Sequence, residues 1–206
     1  MKIGIIGTGR IGSTLAQLFA KAGHAVAISN SRDPETLASL AETLGANVQA
    51  MHPDEAVQFA DCVLLTIPWI KRDTLPPARL FENKITIDAT NHYGPRGVVD
   101  LGESSSSEEM SKQLPGARLV KAFNTMYYET LRTGGRSAPE ERLALFIAGD
   151  DSEAKAVVAR LIEDIGYAAI DSGFLREGGL IQQPGSPIYN VPMNFSEAQR
   201  LLADLK

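Results

Sequence analysis

The chain has 206 residues, 44% of them hydrophobic, which suits one domain or one domain with a small appendage. Its 20 basic and 25 acidic residues give a net charge of -5, without the basic footprint of a nucleic-acid binder. The single cysteine, Cys62, excludes an intrachain disulfide and fits a reducing compartment. The start, MKIGIIGTGR, lacks the long apolar region of a signal peptide, and no stretch approaches a membrane helix. A soluble cytoplasmic protein with no membrane partner is expected.

Lys2–Ile6 is a short β-prone run that ends in glycine. Ile11–Ala22 carries Leu15, Leu18 and Phe19 at helical spacing, with Gly23 placed to stop it. Ala25–Ser29 reads as the second strand. Asp33-Pro34 opens the next helix, Asp33 as N-cap and proline at the first helical position, and Gly45 ends it. A strand at Ala46–Gln49 and a helix at Pro53–Phe59 precede Cys62–Ile67, whose unbroken apolar run suits a strand buried on both faces. Gly102–Glu109, GESSSSEE, reads as a mobile surface loop leading into a short helix. Further strands are expected at Lys84–Asp88, Leu119–Phe123, Leu143–Ala148 and Tyr167–Asp171, with a helix at Ser152–Ile165. Phe174–Pro192, rich in glycine and proline, gives way to a helix at Asn194–Leu205. This alternation predicts an α/β fold, a Rossmann-type doubly wound, mostly parallel sheet. The expected organisation is a single domain over 1–206, with a core at 1–150 and a small C-terminal α/β extension at 151–206.

Gly7-Thr8-Gly9-Arg10-Ile11-Gly12 fits G-x-G-x-x-G, follows a strand and opens a helix, as a dinucleotide-binding turn must. Gly7 permits the tight turn, Gly9 lets the backbone approach a diphosphate, and Gly12 lets helix and strand pack closely. A strand-to-helix turn without a ligand can carry the same glycines. NAD binders place a carboxylate at the tip of the second strand. Here that tip reads Asn30-Ser31-Arg32, so a 2′-phosphate meets a hydroxyl and a guanidinium, and NADP(H) is the expected cofactor. A solvated surface arginine would look the same.

The strand ends facing the crevice are small and polar: Ile67-Pro68, Asp88-Ala89-Thr90-Asn91 and Phe123-Asn124-Thr125. Trp69 packs either beside the cofactor or into the core. No Ser/His/Asp set stands out, and no residues have zinc-ligand spacing. His92 is the one histidine near the crevice, either solvated or an acid. Reduction of a ketone or imine needs a positioned proton donor. Hydride transfer between a nicotinamide and a flavin-like ring mainly needs stacking and exclusion of water.

Taken in order, GTGRIGSTLA, NSR, LLTIPW, IDATN, VKAFNT and AGDDSEAK resemble the deazaflavin-dependent NADP oxidoreductase family, whose best-known members transfer hydride between NADPH and coenzyme F420. The same fold forms the NADPH–flavin domain of the Steap metalloreductases. The resemblance spans nearly the whole chain. It implies that Thr8, Gly9, Arg10 and Ile11 take the diphosphate, and that Ser31 and Arg32, with Asn30 beside them, take the 2′-phosphate. Thr66, Ile67, Pro68 and Trp69 would line the cofactor, with Ala89, Thr90 and Asn91 on the neighbouring strand end. The nicotinamide would lie near Ala122, Phe123, Asn124 and Thr125, of which Asn124 and Thr125 are the positioning candidates. The second ring, deazaflavin F420 or FMN/FAD, would stack beneath Asp171–Leu180. A homodimer is implied.

Archaeal deazaflavin reductases carry histidine where Asn124 stands, so the acceptor stays open between a deazaflavin and a flavin feeding a metal. A non-catalytic sensor of the NADP redox state is a third reading. A β-hydroxyacid dehydrogenase or pyrroline carboxylate reductase ranks last, because too few residues follow Gly149 for the helical domain those enzymes need. Lys71, Arg72, Arg96 and Arg176 are loop cations, available to an acidic acceptor tail or ordinary surface charges.

Overall fold

The computed structural model describes residues 1–205; the last residue of the expected extension, Lys206, lies outside them. In chain order the elements are β1 (Lys2–Ile6), α1 (Arg10–Lys21), β2 (Ala25–Ser29), α2 (Ala38–Leu44), β3 (Val48–Ala50), α3 (Pro53–Phe59), β4 (Cys62–Leu65) and β5 (Ile85–Asp88). A two-stranded ribbon follows, β6 (Tyr93–Gly94) and β7 (Gly97–Val98). Then come α4 (Ser106–Gln113), β8 (Arg118–Ala122), α5 (Tyr128–Thr133), β9 (Ala144–Gly149), α6 (Ser152–Asp164), β10 (Ala168–Gly173), α7 (Leu175–Ile181) and α8 (Phe195–Asp204).

Among the described residues, eight strands form one sheet in the order β3-β2-β1-β4-β5-β8-β9-β10. The first six are parallel, β9 is antiparallel to β8, and β10 follows β9. This is a Rossmann-type, mostly parallel sheet whose strand order reverses between β1 and β4. The connection from Ala122 to Ala144 stays at one end of the sheet, so β9 returns reversed. Gly149 pairs with Val120 and Gly173 with Ala148, so β9 and β10 run away from the ligand crevice. The chain after β10 must therefore come back, and α7 brings it to the end of β8.

The unbroken apolar run of β4 has a direct cause. Cys62 and Leu64 pack into one core with Ile3, Ile5, Phe19 and Val120, while Val63 and Leu65 pack into the opposite core with Ile6, Phe81 and Met110. A third cluster, Phe146, Ile170, Met193, Ala198 and Leu202, seats α8.

Several expectations are corrected. The strand expected over Cys62–Ile67 stops at Leu65, because Thr66 turns to bond the glycine loop and Pro68 follows. Asp33 stands at the N-cap position but makes no side-chain cap bond, and a 3₁₀ turn over Pro34–Leu37 precedes α2. Phe174–Pro192 contains a helix, α7. The largest correction concerns GESSSSEE. Ser105, Ser106 and Ser107 are fully buried, with Ser105 capping α4 through Glu108 N and Glu108 bonding back to Ser105 N. Hydroxyls with bonding partners can be buried at small cost, so a polar composition did not mean a surface loop.

Candidate functional site

The glycine turn is built by its neighbours. Gly7 adopts φ 106 and its N–H donates to Ser29 O at 3.0 Å, while Thr66 Oγ1 donates to Gly7 O at 2.6 Å. A Cβ on Gly12 would lie 2.0 Å from Gly7 O and 2.6 Å from Thr66 Oγ1, so helix and turn are in direct contact. A Cβ on Gly9 would meet nothing within 4 Å. Gly9 caps α1 with no side-chain bond, and the first turn of α1 holds no acidic residue. The free N–H groups and dipole of a 12-residue helix therefore open onto unobstructed space at Gly9, a cradle of the kind that accepts an anion. Thr8 and Ile11 flank it, and the Arg10 guanidinium lies 5.1 Å from the Tyr128 ring.

At the tip of β2, Asn30 Oδ1 accepts from Arg32 N at 2.7 Å and Asn30 Nδ2 donates to Thr36 Oγ1 at 3.2 Å. Asn30 thus shapes the loop, and Ser31 and Arg32 stay exposed. Among the described residues no carboxylate pairs with Arg32.

The β4 end divides. Thr66 and Ile67 are half-buried and Pro68 is exposed, but Trp69 is 3% exposed and belongs to the second core. Arg72 stacks on its ring at 4.5 Å. Trp69 supports the crevice wall from behind. Ala89, Thr90 and Ala122 are also buried and present little surface.

Asn91 and Asn124 meet across the ends of β5 and β8. Asn124 Nδ2 donates to Asn91 Oδ1 at 3.1 Å and to Gln182 O at 2.8 Å; Asn91 Nδ2 donates to Asn124 O at 3.0 Å. Asn124 Oδ1 is buried with no partner. Phe123, just before it, is held at φ 63, a strained conformation for a bulky residue. Its ring is buried edge-on against Phe19. The next residue, Thr125, accepts through its carbonyl from Asn190 N at 2.8 Å. Tyr189 OH lies 3.3 Å from both Asn91 Nδ2 and Tyr93 OH. Burial, with the Tyr93 hydroxyl adding to it, pushes the Tyr189 phenol above its ordinary pKa, so it keeps its proton at neutral pH. The chain that covers Asn91 and Asn124 is thus Gln182–Asn190. The segment expected there, Asp171–Leu180, instead starts at the sheet edge, where Asp171 pairs with Lys155 at 2.8 Å.

Beneath these residues lies a buried ionic cluster that the sequence reading missed. Asp88 and Lys121 are register partners on β5 and β8 and neither side chain is exposed. Lys121 Nζ donates to Thr90 O at 2.5 Å, Ser106 Oγ at 3.1 Å and Asp88 Oδ2 at 3.2 Å. Asp88 Oδ1 accepts from Thr90 N and Oγ1, and Oδ2 from Ser107 Oγ at 2.6 Å. The signal was present: one charge inside each of two apolar strands, IDAT and VKAF, at matching positions. His92 is 4% exposed with Nδ1 unpartnered, and burial, then the Lys121 charge, lower its pKa. Of the loop cations, Arg176 lies 3.5 Å from Glu103, and Lys71 and Arg96 are exposed. Among the described residues no cluster of three His, Cys, Asp or Glu is placed to hold a metal, and no helix is long and apolar enough to cross a membrane.

The family model for NADP oxidoreductase, coenzyme F420-dependent, matches residues 2–92, which hold the glycine turn, Ser31-Arg32 and the ends of β4 and β5. A hypothetical protein from Sinorhizobium meliloti extends the likeness to the rest: 35% identity, TM-score 0.83, covering 94% of this chain and 95% of that one. The chain belongs to the F420-dependent NADP oxidoreductase family. A protein from Arthrobacter sp. FB24, provisionally described as an F420-dependent NADP-reductase, shares 26% identity at a TM-score of 0.77, covering 94% of this chain and 99% of that one. The metalloreductase STEAP3 of Rattus norvegicus is 28% identical over 93% of this chain, which spans 38% of that relative's length. This family member thus matches one protein described by F420 and another described as a metalloreductase.

Proposed function

We propose that this NADP oxidoreductase passes hydride between NADP(H) and a flavin-like ring, a deazaflavin of the F420 type first. The observation that carries this reading is the open cradle at Gly9 over the uncapped start of α1, with the unpaired Arg32 at the tip of β2. The diphosphate binds the free N–H groups of α1, and Ser31 and Arg32 hold the 2′-phosphate. The bound nicotinamide supplies or takes the hydride. Asn124 Oδ1, buried and unpartnered, suits an amide N–H donor, and an unmade bond there costs about 1–3 kcal/mol. A nicotinamide carboxamide is such a donor. Gln182–Asn190 covers the strand ends and excludes water from the ring. Thr125 holds that cover through its carbonyl.

The acceptor is chosen by what the crevice lacks. His92 is buried, burial raises the Tyr189 phenol above its ordinary pKa and so makes it a weaker acid, and Lys121 has all three donors engaged. This favours an acceptor whose ring delocalises the incoming charge over a ketone or imine. The likeness to STEAP3 supports FMN or FAD, feeding a metal, as the second reading. Anaerobic mixing of the protein with NADPH and, separately, F420, FMN and FAD tests both by absorbance. F420 bleaching supports the first, flavin bleaching the second. Tight NADPH binding with no bleaching would leave a redox-sensing binder and sink both. A homodimer, proposed on the family resemblance, is checked by sedimentation.

A further inference from the structure

The Lys121–Asp88 pair is a costly thing to bury. Removing two charges from water costs several kcal/mol per ion, recovered only when every donor and acceptor is matched. Here the match is complete. The ammonium has three N–H groups and three oxygen partners; the carboxylate accepts four bonds. Burial pulls the Lys121 pKa down while Asp88 pulls it up. Nothing in this arrangement is free to deliver a proton, so its effect must lie in what it ties together.

It ties three elements. Through Thr90, Lys121 holds the loop after β5, the one that bears Asn91. Through Ser106 and Ser107, the pair holds the first turn of α4. That turn in turn holds the C-terminal segment: Ser105 Oγ donates to Leu175 O at 2.9 Å and Ser106 N to Gln183 Oε1 at 3.2 Å. Gln182–Asn190 then closes back onto Asn91, Asn124 and Thr125.

We propose that Lys121, paired with Asp88, is a positioning residue that sets the spacing between the Thr90–Asn91 wall and the Gln182–Asn190 cover, and so between the two rings of the hydride-transfer reading on which this inference rests. Lys121 touches neither the glycine turn nor Ser31-Arg32, so the phosphate contacts of NADPH should be nearly independent of it.

The variants are K121M and D88N/K121M. Hydrogen exchange without any ligand reads the tie itself; NADPH binding and single-turnover NADPH oxidation by F420 or FMN read its consequence. Exchange in K121M should rise at Ala89–His92, Ser105–Ser107 and Gln182–Asn190 and stay unchanged in β1, β2 and α1. NADPH affinity should fall far less than the transfer rate, because the diphosphate and 2′-phosphate contacts at the glycine turn and Ser31-Arg32 lie outside this network. Hydride transfer should slow by about a hundredfold, the scale set by misplacement of reacting groups by an ångström. The double variant removes the orphaned carboxylate, so its Tm should recover from that of K121M while transfer stays slow. It carries the test if K121M does not fold. Transfer that recovers along with Tm would make the pair merely structural and overturn the proposal. Unchanged exchange at Gln182–Asn190 would overturn it as well. If the wild-type protein reduces neither ring, the hydride-transfer reading fails by itself, and the exchange measurement still decides whether Lys121 holds the cover.

Discussion

Gly12 faces Gly7 so closely that a Cβ on Gly12 would lie 2.0 Å from the Gly7 carbonyl oxygen, whereas the same atom on Gly9 would touch nothing. The two glycines of one motif therefore answer to different demands. Gly12→Ala forces backbone apart and should cost about 3 kcal/mol, the upper range for overpacking. Gly9→Ala should lower Tm only slightly, because alanine is a poorer N-cap than glycine, and should weaken NADPH, because its methyl projects where the diphosphate binds. Thermal melts and NADPH titration of both variants separate these effects; equal Tm losses would contradict them.

Arg32→Ala tests the 2′-phosphate assignment. A hydrogen bond to a charged group contributes about 1.5–3 kcal/mol, so NADPH affinity should fall roughly tenfold to a hundredfold. NADH, which lacks that phosphate, should bind as before. Parallel fluorescence titrations give the ratio, and equal losses for both nucleotides would remove Arg32 from the site.

Asp151 gives a pH dependence of known sign. Arg118 grips its carboxylate with Nε and Nη2, and the carboxylate also caps α6 through Ala154 N at 2.9 Å. The Arg118 hydrogen bonds, then the helix-cap bond, hold the carboxyl far below its ordinary range. A depressed folded pKa contributes stability above the unfolded value, about 3.9, that is lost as pH falls through the folded one. Asp151→Asn keeps a capping oxygen and removes the charge. The Tm gap between wild type and variant should be constant between about pH 7 and 5 and narrow below about pH 4.

Asn124→Asp reverses a donor. Asn124 Nδ2 gives bonds to Asn91 Oδ1 and Gln182 O, both acceptors. A carboxylate there would be buried, unpaired and repelled, at a cost of about 3–5 kcal/mol near neutral pH. Its folded pKa would be raised, so the loss should shrink as pH falls and the protonated carboxyl donates again. Denaturant melts at pH 7 and pH 5 check this; a pH-independent loss would speak against the geometry.

The local architecture of the first half was legible because its signals are short-ranged. The glycine turn, Ser31-Arg32 and the two-faced run of β4 are set by neighbours in sequence, through φ, hydrogen bonding and side-chain alternation. Gly23 and Gly45 end their helices at φ 88 and 130, as their positions predicted. What composition misjudged was burial. Trp69 reads equally as cofactor wall or core, and packing against the second core, with Arg72 across its face, decided for the core.

By itself the sequence determined an α/β dinucleotide fold with a 2′-phosphate-compatible strand tip, since those features depend on residues within a few positions of one another. Only the tertiary structure decided that β9 runs backwards, that Gln182–Asn190 covers the crevice, and that Ser105–Ser107 are interior. Those outcomes rest on partners as distant along the chain as Asp88 and Lys121. A serine or lysine is buried or exposed according to whether such partners satisfy it, and the glycine turn from which the NADP reading starts gives no hint of where they are.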